Sequence, residues 1–213
     1  MVSKLYGKKL GMTRYLGEGG EAVPVTIVMA GPCVVVRRKT ADRDGYEAIQ
    51  VGFEPVKDKS LNRPMRGQFK ASGSSCFRHL REIRVEDSGR FELGQEIGSD
   101  IFRIGDTVQV SAKSKGRGFQ GVIKRWGFAG GKETHGCRSH RVPGSIGASA
   151  TPSRVFKGKK MPGRMGPQRT TVKNLLVVDV RPDLGVIAVK GAIPGARNGL
   201  VEISKLNSAK EQA

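Results

Sequence analysis

The chain has 213 residues, 37% of them apolar, with a formal charge of +19. That length suits one large or two small domains, and so positive a balance points to nucleic acid or an anionic membrane as partner. No stretch approaches 18 apolar residues, which argues against a membrane span. Three widely spaced cysteines, Cys33, Cys76 and Cys137, imply no disulfide framework.

The first nine residues lack the apolar run of a secretory signal, so a reducing, cytoplasmic setting is expected. Residues 23–29 and 33–37 are rich in β-branched side chains and are separated by Ala30-Gly31-Pro32, which predicts two strands. Residues 46–53 predict a third, entered through the turn Asp42-Arg43-Asp44-Gly45. The polar stretch 55–75 predicts a short helix at 64–71. Strands are predicted at 80–85 and 106–112, with a turn at Asp87-Ser88-Gly89.

From 111 to 173 the composition shifts. This segment holds 15 Lys or Arg against one carboxylate, Glu133, a net +14 in 63 residues. The other 150 residues therefore carry only 19 − 14 = +5. Twelve of the 30 glycines also lie here. Beyond it, 175–180 and 186–190 predict a hairpin around Arg181-Pro182-Asp183-Leu184-Gly185, and 200–203 a last strand. Residues 204–213 read as a loose polar tail. Many short strands with little helix predict a mainly β fold, a small barrel or a sandwich. The basic segment is then an excursion of about 60 residues, unusual for a compact domain unless a partner orders it.

Several motifs inside the excursion suggest chemistry and lack its context. Gly116-Arg117-Gly118-Phe119-Gln120-Gly121 matches a dinucleotide loop, but no βαβ unit or ribose-binding acid accompanies it. Phe119, Val122, Ile123 and Trp126 have helical spacing and predict a short helix with one docked apolar face, leaving Lys124 and Arg125 outward. Gly127 to Thr134 resembles a phosphate loop, yet Glu133 stands where a Ser or Thr is needed. His135, Cys137 and His140 are three potential zinc ligands where a closed site needs four, and Arg138 and Arg141 would repel the ion. The histidines instead stack on bases or bond to RNA, or else shape their own loop. With one carboxylate, the segment has no acid–base pair for catalysis. No enzyme activity, cofactor, metal or small-molecule substrate is expected.

The run from Arg154 to Pro167 alternates cations with Gly, Pro and single apolar residues. Such a chain can follow an irregular surface while its cations reach phosphates on several sides. That suits a folded RNA better than duplex DNA, whose readers usually present a helix to the major groove.

Four ordered stretches resemble one family. They are Tyr6-Gly7-Lys8-Lys9-Leu10-Gly11-Met12-Thr13-Arg14, Ser114 to Trp126, Ser139-His140-Arg141-Val142-Pro143-Gly144-Ser145-Ile146-Gly147, and Val155-Phe156-Lys157-Gly158-Lys159-Lys160-Met161. The chain is similar to the bacterial form of the family of large ribosomal subunit protein three. The resemblance implies a closed β-barrel of the translation-protein type, a minor α/β portion and a long extended basic arm. It also implies direct binding to 23S rRNA, early subunit assembly, and an arm tip that approaches the peptidyl transferase centre without catalysing anything. Neighbouring proteins would be the fourteenth and nineteenth of the large subunit. On this reading the barrel is 1–110 with 174–208, its α/β portion lies near 55–90, the arm is 111–173 and 209–213 is a loose tail. Expected RNA contacts are Arg117, Lys124, Arg125, Trp126, His135, Arg138, His140, Arg141, Arg154, Lys157, Lys159, Lys160, Arg164 and Arg169, with Phe128 and Phe156 as packing or stacking groups. The tip, 142–151, contains Pro143, Gly144, Ser145, Ile146, Gly147, Ala148 and Ser149. Some bacterial members carry an N-methylated glutamine just after the Gly-Ser-Ile-Gly stretch. This chain has Ala148-Ser149-Ala150 there, so that modification is not expected.

Overall fold

The computed structural model describes residues 2–17 and 19–206. Its strands are β1 (Lys4–Leu16), β2 (Ala22–Ala30), β3 (Cys33–Lys39), β4 (Ala48–Pro55), β5 (Phe77–Arg84), β6 (Glu96–Ile97), β7 (Thr107–Lys113), β8 (Gly118–Gln120), β9 (Gly163–Met165), β10 (Arg169–Arg181), β11 (Val186–Lys190) and β12 (Leu200–Lys205). The helices are α1 (Ala41–Asp44), α2 (Arg63–Ser72) and α3 (Val122–Trp126). The fold is mainly β.

Six strands pair in the order β1-β12-β7-β10-β11-β2, and β2 pairs back onto β1, so the hydrogen-bonded order returns to its start. Every pairing is antiparallel. Alternation then sends one row of side chains inward. Leu5, Ile203 and Val110 occupy one cross-strand row, and all three are fully buried. Pro24 sits on β2 beyond the reach of β11, which pairs only with 25–29, so its missing N–H interrupts no ladder there.

A second sheet has the order β5-β4-β3-β6. Val35 and Val36 are adjacent in sequence, yet both are buried. Strand alternation sends them to opposite faces, and both faces of this sheet are covered. Val35 joins the large core with Ile49, Val51 and Ile83. Val36 joins a smaller cluster with Phe69 of α2, Cys76 and Phe77. Helix α2 starts at Asn62, whose side chain accepts from the Met65 N–H, with Pro64 in the first turn, and it ends at Gly73 in the left-handed region.

The structure differs from the sequence expectations at several places. Strand β1 is 13 residues long, although Lys8, Lys9 and Arg14 interrupt its apolar pattern. Ser204 and Lys205 belong to β12 rather than to a tail. Ser204 is buried, and Lys205 pairs with Asp106 at 2.8 Å. The remaining tail, including 209–213, lies outside the described residues. The turn at 42–45 is the helical turn α1, closed by Gly45. The α/β portion draws β3, most of β4 and β6 from outside 55–90.

Candidate nucleic-acid interface

The chain forms two compact units, one of them the segment Ser114–Gln168 and the other the chain on either side of it. The segment begins and ends on paired strands, with Lys113 of β7 opposite Arg169 of β10. Residues 111–113 and 169–173, expected in the arm, therefore lie on strands of the six-stranded sheet. Ser111 and Thr171 are opposite each other there, and their hydroxyls are 2.7 Å apart.

Within 114–168 the two ends of the segment run antiparallel. The Ser114 N–H donates to Gln168 O at 3.0 Å and the Arg117 N–H to Met165 O at 3.0 Å, and β8 pairs with β9. Gly166 has φ +74, and a Cβ there would meet the Lys115 carbonyl oxygen. Only glycine fits both conditions.

Helix α3 is shorter than the spacing suggested. Phe119 lies on β8 and is exposed, and only Val122 of the expected apolar face is fully buried. Arg125 does not point simply outward. Its Nη1 donates to Met161 O at 2.7 Å, and the Trp126 Nε1–H donates to the same oxygen at 2.9 Å. The Arg125 guanidinium lies 5.0 Å and the Lys160 ammonium 5.7 Å from the Trp126 ring centroid.

Residues 130–140 close into a loop. The Gly131 N–H donates to His140 O at 2.9 Å, and His140 Nδ1 is 2.9 Å from Lys132 O. Gly131 admits no Cβ because of the Ser139 carbonyl oxygen. His140 thus serves its own loop through one ring nitrogen, while His135 is exposed at φ +56. Among the described residues no three His, Cys, Asp or Glu side chains gather as a metal-binding group.

The unit carries Lys115, Arg117, Lys124, Arg125, Lys132, Arg138, Arg141, Arg154, Lys157, Lys159, Lys160 and Arg164, against Glu133 alone. All but the half-buried Arg125 are exposed. Among the described residues none of these cations has a carboxylate within ion-pair distance; the ion pairs all lie in the other unit. Lys115 and Lys132 belong to this set although motif reading passed over them, and the charge count alone would have found them. Arg169 is different. It sits on β10 and bonds Glu202 at 2.7 Å, so its charge is partly used inside its own sheet. Large apolar side chains are exposed among the cations, notably Phe119, Val142, Ile146 and Phe156. The Arg154 guanidinium stands 5.8 Å from the Phe156 ring centroid. Residues 142–151 are exposed throughout and hold no cation.

By fold and charge the chain falls in the class of strongly basic, mainly β proteins. The family model of Ribosomal protein L3 matches residues 88–185. Large ribosomal subunit protein uL3 of Desulforapulum autotrophicum is 54% identical over 205 residues, covering 96% of this chain and 99% of the relative. The proteins of that name from Geobacter sulfurreducens (52% over 201 residues, 94% and 96%) and Syntrophotalea carbinolica (53% over 206 residues, 96% and 98%) are similarly close. The chain belongs to the uL3 family of large ribosomal subunit proteins, a family of structural components of the translation machinery and not of enzymes.

Proposed function

We propose that this chain binds 23S rRNA directly, with 114–168 as its principal contact. The observation that carries the reading is the set of exposed cations without carboxylate partners in that unit. Unpaired cations at this density repel one another, and a phosphate backbone relieves the repulsion while releasing counterions. Interleaved glycines and exposed aromatics suit an irregular RNA surface, with unstacked bases available to Phe119 and Phe156.

The ring-paired six-stranded sheet is read as the translation-protein type of closed barrel. By its likeness to the family the protein enters the large subunit early and sits in the cytoplasmic ribosome, with the fourteenth and nineteenth proteins as neighbours. Residues 142–151 are its tip, directed to the peptidyl transferase centre. Their lack of cations fits a tip shaped by small neutral groups and held by a charged shaft.

Salt titration of the isolated protein on its rRNA tests the reading. With about 8–10 neutralised phosphates, the log–log slope is about −7 to −9. A slope shallower than about −3 refutes it, and so does a protein that leaves the large subunit on DNase but not on RNase treatment of a lysate.

A further inference from the structure

Strand β6 is an edge of the second sheet. It pairs with β3, Ile97 opposite Cys33 and Glu96 opposite Val34, and among the described residues no strand pairs with its other side. Such an edge leaves backbone donors and acceptors open. Two clefts of about 400 and 460 Å³ open beside it, and they adjoin, since Glu96, Gly98 and Asp100 line both.

Five carboxylates line the two clefts, Glu86, Asp87, Glu96, Asp100 and Asp183, against one cation, Arg90. In a chain of 38 Lys or Arg and 19 Asp or Glu, that balance runs opposite to the whole. Arg90 is taken by Asp87 at 3.1 Å. Among the described residues the other four carboxylates have no Lys, Arg or His within ion-pair distance. The lining is also apolar. Val2, Phe91 and Ile101 are only partly buried against the large core, and Leu184 is exposed. Ser99 lines the second cleft, is 1% exposed, and its hydroxyl has no hydrogen-bond partner.

These features select the occupant. Four unpaired carboxylates repel phosphate, and among the described residues no three such groups gather to hold a metal ion. A small polycation would match the charge and leave the apolar lining and the strand edge unused. An extended polypeptide uses all three, because its side chains alternate and its backbone can bond the open edge of β6 and the Ser99 hydroxyl. Carboxylates spread over two clefts suit flexible ammonium groups better than the fixed fork of arginine.

We propose that the acidic clefts beside β6 dock an extended, lysine-bearing segment of another protein of the large subunit. Glu96 and Asp100, which line both clefts, are its central contacts. The surface lies outside 114–168, and the inference stands apart from the rRNA-binding reading above.

The test treats free full-length protein and purified large subunits with a water-soluble carbodiimide, which activates carboxylates, and reads the products by mass spectrometry. With glycine ethyl ester present, Glu96 and Asp100 are labelled in the free protein and lose that label in the subunit. Without the ester, one of them forms an isopeptide bond to a lysine of another protein. Labelling in the subunit equal to that of the free protein shows an open cleft and overturns the proposal. Protection without an isopeptide bond also overturns it, because RNA or ions then cover the carboxylates. Both residues are exposed, so E96Q/D100N leaves the core untouched. Subunits carrying that variant should release the crosslinked protein at lower salt than wild type, and unchanged release overturns the proposal.

Discussion

The indole N–H of Trp126 donates to the carbonyl oxygen of Met161 at 2.9 Å, 35 residues away in sequence. The Arg125 Nη1 donates to that oxygen at 2.7 Å, so adjacent side chains of α3 hold one peptide of the returning chain. Trp126→Phe keeps a ring and removes the donor. It is expected to cost about 0.5–1.5 kcal/mol. Amide hydrogen exchange at 160–163 should accelerate accordingly, with little change in the six-stranded sheet.

Gly166→Ala meets two penalties at once, a positive φ and the carbonyl of Lys115. A cost of about 1–3 kcal/mol for such a backbone position is expected, more where the clash cannot relax. Gly121 has φ −68 and nothing within 4 Å of an added Cβ, so Gly121→Ala should be near neutral. Hydrogen exchange within 114–168 separates the two.

Ile203 lies opposite Leu5 on one side and Val110 on the other. Ile203→Ala opens a cavity where three strands meet and is expected to cost about 2–5 kcal/mol. Urea denaturation measures it as a lower midpoint with an unchanged slope.

Alkaline pH should weaken the core. Burial pushes the Cys33 thiol up to about 11 from 9.0. Burial, aided by the charge of Glu202, pushes the Tyr6 phenol up to about 12 from 10.0. Both raised groups favour folding fully below their unfolded values. That contribution falls as pH rises from 9.0 through about 11 for Cys33, and from 10.0 through about 12 for Tyr6. Cys33→Ala should remove the earlier part of the decline in urea midpoint. At the acid end, Lys39 and Tyr46 hold Glu82 below the ordinary carboxylate range, so its contribution is present at neutral pH and is lost as pH falls through its lowered value.

Protease added to the free protein should cut first within 114–168. Mutual repulsion of unpaired cations, with little burial to offset it, favours local opening there. Equal resistance of that segment and the two larger sheets would contradict this.

Runs of β-branched residues announced β2, β3 and the β10–β11 hairpin, because a half-buried strand leaves its period in the sequence. Strand β1 left no such mark. Its outer half, from Met12 to Leu16, is exposed, so its residues answer to solvent and pairing rather than to a core. The spacing of Phe119, Val122, Ile123 and Trp126 overstated the helix. A four-residue period is shared by chance when Phe119 belongs to a strand instead. The charge of 114–168 was readable by counting, whereas the acidic clefts beside β6 were not, since their residues come from stretches as distant as Val2, Glu86, Glu96 and Asp183.

The sequence alone placed a net +14 between 111 and 173, marked the strand-forming runs around it, and carried the ordered motifs of the uL3 family. Composition and local period suffice for that, because charge and β-branching act residue by residue. The tertiary structure decided which strands became neighbours, setting Lys4 beside Ser204 and Lys113 beside Arg169. It also decided which cations are used internally, giving Arg169 to Glu202 and Arg125 to the Met161 carbonyl. Those outcomes depend on partners distant in sequence, and a local pattern specifies a period without specifying a partner.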